Sequence, residues 1–584
     1  MNVETMNAND EIDNANYKNK QFTENGLPAY GWSKDNRIRE KSIQEHIVQF
    51  YFQCVLDDKN VLLLQNKYDE LFEKVLKLDD DSVLYTYIDY LIRLALQTRD
   101  IEMGKGMYNM AYHMFEVIVH HVYDTNSIDR NTYFKMFRRV LNESPDGDMP
   151  YGSWKDLKNF LQHMHVSKRY DSHYRNHIIH EHIMRLYVEQ MIQDRKSMSV
   201  GNGISLCGKW LPRESSKVHR WLARSIARAY YNTVFCEVPE KMSIYSQHYR
   251  ELCTKFNKYI DTTQIHMCRR TWDVIDFDHV TALTMHKFKN AFMNSKNINE
   301  EHRNICRDNL INYVAAKVEN GESMKAKVLL PHQLVGSVLY PTEPLDDTSQ
   351  GIINLQWKGL VESVKQNMTN GNNFLQNCIP CIDVSPSMYH QNTLPLLASI
   401  GMGLMAMECS TIKRAFTFSE IPKWINFHDI DNITFIEKVD QVRQSEWGGT
   451  TDIYAMFVKM LQFCVSNDVS NDDVANYSLF VFSDMQFDDC SMYGVSKEST
   501  LIESVQMLFR NQGYTNIPYI IFWNLRGTNN FPSISKVPGC TMLSGNSASL
   551  FKFFMNTTLE EVKKMNNWTL IKTILDNKRY TINS

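Results

Sequence analysis

Cys378-Ile-Pro-Cys-Ile-Asp383-Val-Ser385-Pro-Ser387 decides how the second half of this chain reads. An apolar run long enough for a strand ends in one carboxylate and two hydroxyls. That ending aims three hard oxygen donors at one point, which suits Mg²⁺ and its preference for octahedral oxygen ligands. Outward from it, the apolar runs Ala415–Phe418, Ser478–Phe482 and Pro518–Trp523 alternate with the helical stretches Leu394–Met407, Asp452–Phe463 and Leu501–Phe509. Such alternation predicts a doubly wound α/β domain with a mainly parallel sheet covered on both faces. Its site is expected at the carboxyl ends of the strands.

Two further segments point to the same rim. Trp447-Gly-Gly-Thr-Thr451-Asp452 is a glycine turn presenting a hydroxyl at a helix start, and Phe480-Val-Phe-Ser-Asp484 ends a second apolar strand in a carboxylate. The set Asp383, Ser385, Ser387, Thr451 and Asp484 resembles the metal-ion-dependent adhesion site of von Willebrand factor A domains. Thr451 is preferred to Thr450 because family threonines usually precede an Asp or Asn at the helix start. Pro386 departs from the glycine of many relatives, and proline fits if φ there lies near −65°. The resemblance implies a cation, Mg²⁺ or Mn²⁺, held by these five residues directly or through water, with one coordination position left for an acidic residue of a protein partner.

Before this domain, the text from about Gly31 to Leu339 is helical in period. Leu84, Ile88, Leu91, Ile92 and Ala95 share one face, and Ser153-Trp-Lys-Asp156 has the form of a capping box. Pro145 to Pro150 reads as a loop. No repeat of fixed length emerges, so stacked helical hairpins of a HEAT-like kind, in a ring or an open arc, are expected. The first 25 residues hold seven Asn and read as disordered. Pro341, Pro344 and Asp346-Asp347-Thr348-Ser349 mark a boundary. The expected division is a tail at 1–30, an α-helical repeat domain at 31–345, a linker and helix at 346–375, and a von Willebrand A-like domain with a C-terminal helix at 376–584.

Tyr151-Gly-Ser-Trp-Lys-Asp-Leu157, Lys209-Trp-Leu-Pro212, Gln356-Trp-Lys358 and Phe522-Trp-Asn-Leu-Arg526 resemble landmarks of an uncharacterised family of plants, fungi and large DNA viruses. Its members join helical repeats to a C-terminal von Willebrand A domain, an architecture similar to that of the Ro autoantigen. Ro-type proteins bind small structured RNAs through basic surfaces of a helical ring, and the resemblance implies that activity here only by analogy.

The 584 residues carry 63 Lys+Arg against 67 Asp+Glu, which argues against a polyanion binder of the histone kind but leaves room for a local basic face. Arg213, Lys217, Arg220, Arg224 and Arg228 are the candidates for contact with RNA, and the last four are expected on one helical stripe. The competing reading is a solvated face or one neutralised by neighbouring acids. His173, His177 and His180 fall at i, i+4 and i+7, with Glu181 and His182 adjoining; with no second cluster at zinc-like spacing, they read as an exposed or inter-helix polar face rather than a zinc site.

Cys378 and Cys381 read as buried thiols within a strand. Gly401-Met-Gly403 falls inside a helix, where small residues permit close helix–sheet packing. The expected role is non-enzymatic binding through the metal. RNA binding is the alternative, and Mg²⁺-dependent hydrolysis is a weaker one because no general base is identifiable. Twelve dispersed cysteines and the lack of a signal-peptide pattern or an apolar span lead to the expectation of an intracellular, cytoplasmic protein outside the membrane.

Overall fold

The strand that ends at Asp383 lies inside a six-stranded sheet. The structure is a computed structural model and describes residues 19–56, 59–125, 135–138, 140, 150–167, 178–237, 240–294, 299–366, 373–427, 432–445, 447–494, 499–534 and 539–581. Two short strands, β1 (Lys20–Phe22) and β2 (Pro28–Tyr30), form a hairpin. The sheet contains β3 (Cys378–Asp383), β4 (Arg414–Phe418), β5 (Lys423–Asn426), β6 (Ser478–Ser483), β7 (Tyr519–Asn524) and β8 (Cys540–Ser544), in the order β5-β4-β3-β6-β7-β8. All neighbours are parallel except β5, which runs antiparallel to β4.

Every residue of β3, β6, β7 and β8 is buried, as a sheet covered on both faces requires. The chain builds outward from β3 to β4 and β5, then returns to lay β6 on the other side of β3. Successive crossovers therefore diverge between β3 and β6, and the crevice beyond their carboxyl ends is where α/β sheets place ligands. The four apolar runs read from the sequence are four of the six strands; β5 and β8 are additional.

The helix His390–Cys409 covers β3 closely. A Cβ on Gly403 would lie 2.4 Å from Ile382 Cγ1, and one on Gly401 would lie 2.7 Å from Pro331 Cβ. Both glycines are thus spacers for packing, not part of a nucleotide loop. Cys378 and Cys381 are fully buried in β3, and burial pushes both thiols well above their usual range, away from redox or zinc chemistry.

The compact units differ from the expected division. One unit comprises residues 1–97, 103–107 and 315–577, and the other comprises 98–102, 108–314 and 578–584. The polar run at Asp346 opens the helix Asp347–Lys365, with Asp346 Oδ1 accepting from Ser349 N at 2.7 Å, so it is a helix cap within a unit. Upstream of it, the helix Pro331–Leu339 already packs on His390–Cys409.

The first helices belong with the sheet as well. Helix Glu40–Gln53 ends against β7 and β8, where Asn524 Nδ2 donates to Phe52 O (3.0 Å) and Ser544 Oγ to Tyr51 O (2.5 Å). The buried Lys105 ammonium donates to Tyr51 O, Cys54 O and Ser544 Oγ at 2.6–2.8 Å.

Residues 1–18 of the expected disordered tail lie outside the described residues, but 19–30 are ordered as the hairpin. Thr23 Oγ1 donates to Phe487 O (2.6 Å), and Tyr30 N donates to Phe531 O (2.9 Å). Sheet loops supply the partners that the segment's polar composition concealed.

The second unit is helical. The capping box at Ser153 forms, with Ser153 N donating to Asp156 Oδ2 at 2.7 Å, and opens the helix Trp154–Val166. Helix Ile178–Ser199 packs on Arg220–Phe235, which in turn packs on Met242–Ile260. Two buried ion pairs hold this unit. Arg99 is bidentate to Asp156 at 2.6 and 2.8 Å, and Arg579 is bidentate to Asp100 at 2.6 and 2.7 Å. The C-terminal residues therefore serve the helical unit, contrary to the expected end of the sheet domain at 584. Most of the Pro145–Pro150 loop lies outside the described residues. Among the described residues, no helix is long and apolar enough to cross a membrane.

Candidate functional site

Asp383 is the last residue of β3 and is wholly buried. Its Oδ1 accepts from Ser385 N at 2.9 Å, which folds the chain back over the strand end. Pro386 then opens a short 3₁₀ turn, Pro386–Tyr389, a position where proline's fixed φ is suited to helix initiation. The turn brings Ser387 Oγ to 3.0 Å from Ser385 Oγ.

Across the crevice, Asp484 follows β6 and is also fully buried. It accepts a hydrogen bond from the Ser387 side chain, and its charge acts on Asp383. Four of the five residues read from the sequence, Asp383, Ser385, Ser387 and Asp484, are therefore joined by direct contacts.

Thr451 O accepts from Asp488 N at 3.0 Å, four residues past Asp484, and the next residue ties the turn to β4. Asp452 N donates to Ser419 O (3.1 Å) just beyond β4, while Val384 N donates to Phe418 O (3.2 Å). Asp452 N-caps the helix Ile453–Ser466 by accepting from Ala455 N at 2.8 Å. The turn before it needs glycine. Gly449 has φ +70°, and a Cβ there would sit 2.4 Å from Glu420 Oε2. Thr451 is buried, whereas Thr450 is exposed and its hydroxyl serves Asp488.

Two groups at this site escaped the sequence reading. Ser483 Oγ donates to Asp383 Oδ2 at 2.5 Å. Arg526, two residues past β7, donates through Nη1 to Asp484 Oδ2 at 3.0 Å and pairs through Nη2 with Glu24 Oε1 at 3.2 Å. Arg526 closes one of the quoted landmark motifs, but only the structure gives it a partner.

Burial, reinforced by the Asp484 charge, pushes the Asp383 carboxyl up to about 7. Burial also raises Asp484, and Arg526 opposes that rise. Two buried, electrostatically interacting acids, with hydroxyls around them and one guanidinium as counter-charge, make an oxygen donor set that a divalent cation fits.

The basic candidates are less unified. Helix Arg220–Phe235 begins at Arg220, so Arg220, Arg224 and Arg228 share an exposed stripe while Lys217 lies in the preceding turn. The expected stripe of four is thus three, because His219 takes the N-cap position and the helical register starts after it. Arg213 is half-buried and hydrogen-bonds the Cys253 thiol.

A compact basic cluster lies nearby in sequence. Lys155, Lys158 and Lys209 hold their ammonium groups 5.6–5.7 Å from the centroid of the Trp210 ring. Burial, together with the Lys155 and Arg213 charges, lowers the pKa of Lys158. Among the described residues, no carboxylate forms an ion pair with any of the three. Of the expected polar histidines, His173 and His177 lie outside the described residues, while His180 is buried with its ring 6.0 Å from that of Trp221.

Residues 377–580 match a family model described as Domain of unknown function (DUF7788), a span that includes all five oxygen donors. Residues 161–369 match one described as Domain of unknown function (DUF2828). Over 560 residues the chain is 27% identical to Uncharacterized protein L728 of Acanthamoeba polyphaga mimivirus, covering 92% of this chain and 85% of that relative. Similarity therefore runs through both the helical and the α/β parts and extends to a large DNA virus.

Proposed function

We propose that the sheet domain is of the von Willebrand A type and that the chain is a non-enzymatic binding protein. Asp383, Ser385, Ser387, Thr451 and Asp484 would hold Mg²⁺, or Mn²⁺ in its place. The observation that carries this reading is the direct contact between the two strand-end motifs, Ser483 with Asp383 and Ser387 with Asp484, at the switch point of the sheet, where both carboxylates are buried and the charge of one acts on the other. When bound, the cation supplies a Lewis-acidic position for a partner's carboxylate oxygen. The residues' own work is positional. Ser483 and the Ser385 amide fix both oxygens of Asp383, and Arg526 fixes one oxygen of Asp484.

Affinity purification in Mg²⁺ or in EDTA, followed by mass spectrometry, tests the proposal. Partners recovered by wild-type protein in Mg²⁺ are expected to be lost in EDTA and with Asp383→Ala, while the variant keeps its far-UV circular dichroism. Full, EDTA-insensitive recovery by the variant rejects the metal-bridged reading.

A second reading rests on the Trp210 cluster. Three ammonium groups without acidic partners around an aromatic ring match the alternation of phosphate and base in single-stranded RNA, and the exposed Arg220, Arg224 and Arg228 add positive charge from another helix. Trp210→Ala is expected to weaken binding to an RNA oligonucleotide by about 1–3 kcal/mol. Binding by wild type should also fall steeply between 50 and 200 mM salt. Fluorescence anisotropy checks both. Affinity independent of salt, or unchanged in Trp210→Ala, removes this reading.

A further inference from the structure

Helices Asn109–Thr125 and Trp154–Val166 bring together ligand-type side chains that none of the preceding functions uses. His113 and Glu116 stand one turn apart on the first helix, and His163 reaches them from the second. His163 Nε2 lies 3.0 Å from Glu116 Oε2, and His113 Nδ1 lies 4.0 Å from the same oxygen. All three ligand atoms fall within 4.8 Å of one another. The two imidazole rings are nearly perpendicular, at 85°, with centroids 6.5 Å apart.

We propose that His113, Glu116 and His163 form a zinc site of two imidazoles and one carboxylate. A triangle with sides of 3.0 and 4.0 Å and a third of at most 4.8 Å has a point no more than about 2.4 Å from every corner, close to Zn–N and Zn–O bonds of about 2.0–2.2 Å. Tetrahedral zinc holds its ligand atoms about 3.4 Å apart, so side-chain rotation must draw the two imidazoles together by about 1 Å and lift the ion out of the ligand plane; two of the ligands are pre-set one turn apart on a single helix. Imidazole nitrogen selects zinc over Mg²⁺ or Ca²⁺, which take oxygen ligands.

Burial favours the same assignment. The Glu116 side chain is 2% exposed and that of His113 is 9% exposed, so a dication here would sit in a largely water-excluded setting where its attraction to the carboxylate is strong. His163 is 24% exposed, which leaves an entry side and room for water as a fourth ligand. The site was invisible in the sequence because its ligands come from helices whose contributing residues are 47 positions apart.

Cobalt replaces zinc in such sites and reports tetrahedral geometry by visible absorption. The full chain, stripped with chelator and titrated with Co²⁺ in metal-free buffer, is expected to develop these bands at one equivalent and to lose them when Zn²⁺ is added. Asp383→Ala should keep the bands, and Glu116→Gln should weaken binding at least about tenfold. Because Glu116→Gln disturbs a buried position, His163→Cys supplies a signal that unfolding cannot mimic: a new sulfur-to-cobalt charge-transfer band in the near ultraviolet. Absence of tetrahedral bands in the wild type, or a spectrum unchanged in His163→Cys, overturns the proposal.

Discussion

Asp383→Asn is expected to raise the melting temperature of the metal-free protein at pH 8 and to erase its stabilisation by Mg²⁺. The metal-free fold buries two interacting carboxylates, and burial with the Asp484 charge lifts Asp383 to about 7, against an ordinary value of 3.8. A group whose pKa is raised by folding contributes stability below its unfolded value and loses it as pH climbs through the folded value. That contribution is therefore present at pH 4 and gone above about 7.

Mg²⁺ needs the carboxylates ionised, so its stabilising effect should grow over the same window. At a concentration 100-fold above Kd the effect is about 2.7 kcal/mol, or about 3–4 °C for a unit of this size. Asparagine removes the charge that creates both behaviours. Thermal melts at pH 5 and pH 8, with and without Mg²⁺, check this. An equal Mg²⁺ shift at the two pH values, or a shift retained by Asp383→Asn, contradicts it.

Arg579→Met should be among the most damaging single substitutions in the helical unit. Asp100 is fully buried and takes both of its strongest contacts from Arg579, with the Tyr580 hydroxyl donating a third at 2.9 Å. The guanidinium also lies 4.7 Å from the Tyr151 ring centroid. Methionine fills similar volume but strips the bidentate guanidinium from a fully buried carboxylate, which costs about 3–5 kcal/mol. Replacing both partners, Asp100→Leu with Arg579→Met, should recover much of that loss, since an apolar pair needs no compensation. Urea unfolding of the wild type, the single variant and the double variant measures the coupling. A loss below about 1 kcal/mol in the single variant would show that the pair does not hold the C-terminal residues in place.

The legible part of this structure is the part governed by local pattern. Buried parallel strands read as continuous apolar runs, so β3, β4, β6 and β7 were visible, as was the carboxylate at the end of β3. Strand β5 was not, because Lys423-Trp-Ile-Asn426 is a short, half-exposed edge whose pairing is supplied by β4. In β8, Cys540-Thr-Met-Leu-Ser544 is a short run interrupted by Thr541 and closed by Ser544; the buried hydroxyl at its end is satisfied by helix Glu40–Gln53 and Lys105.

The same limit explains the misplaced domain boundaries. Helical periodicity in residues 40–97 shows that one face is buried, but it does not reveal against what. At the site, the spacing of Asp383, Ser385 and Ser387 is a local signal. Ser483 carried no signal of its own inside Phe480-Val-Phe-Ser-Asp484, and Arg526 was a motif residue with no partner in view. Both act through contacts across about 40 to 100 positions of chain.

The docking of the first long helix onto β8 bears on how this polypeptide can be cut. A fragment starting at residue 377 would be severed from Tyr51 and Phe52, the carbonyls that receive Ser544 and Asn524. Its outermost strand would then offer a raw margin to any neighbouring strand, the usual route to aggregation. Soluble expression of the sheet on its own would accordingly require residues 19–107 to be supplied alongside it, in cis or as a co-expressed piece.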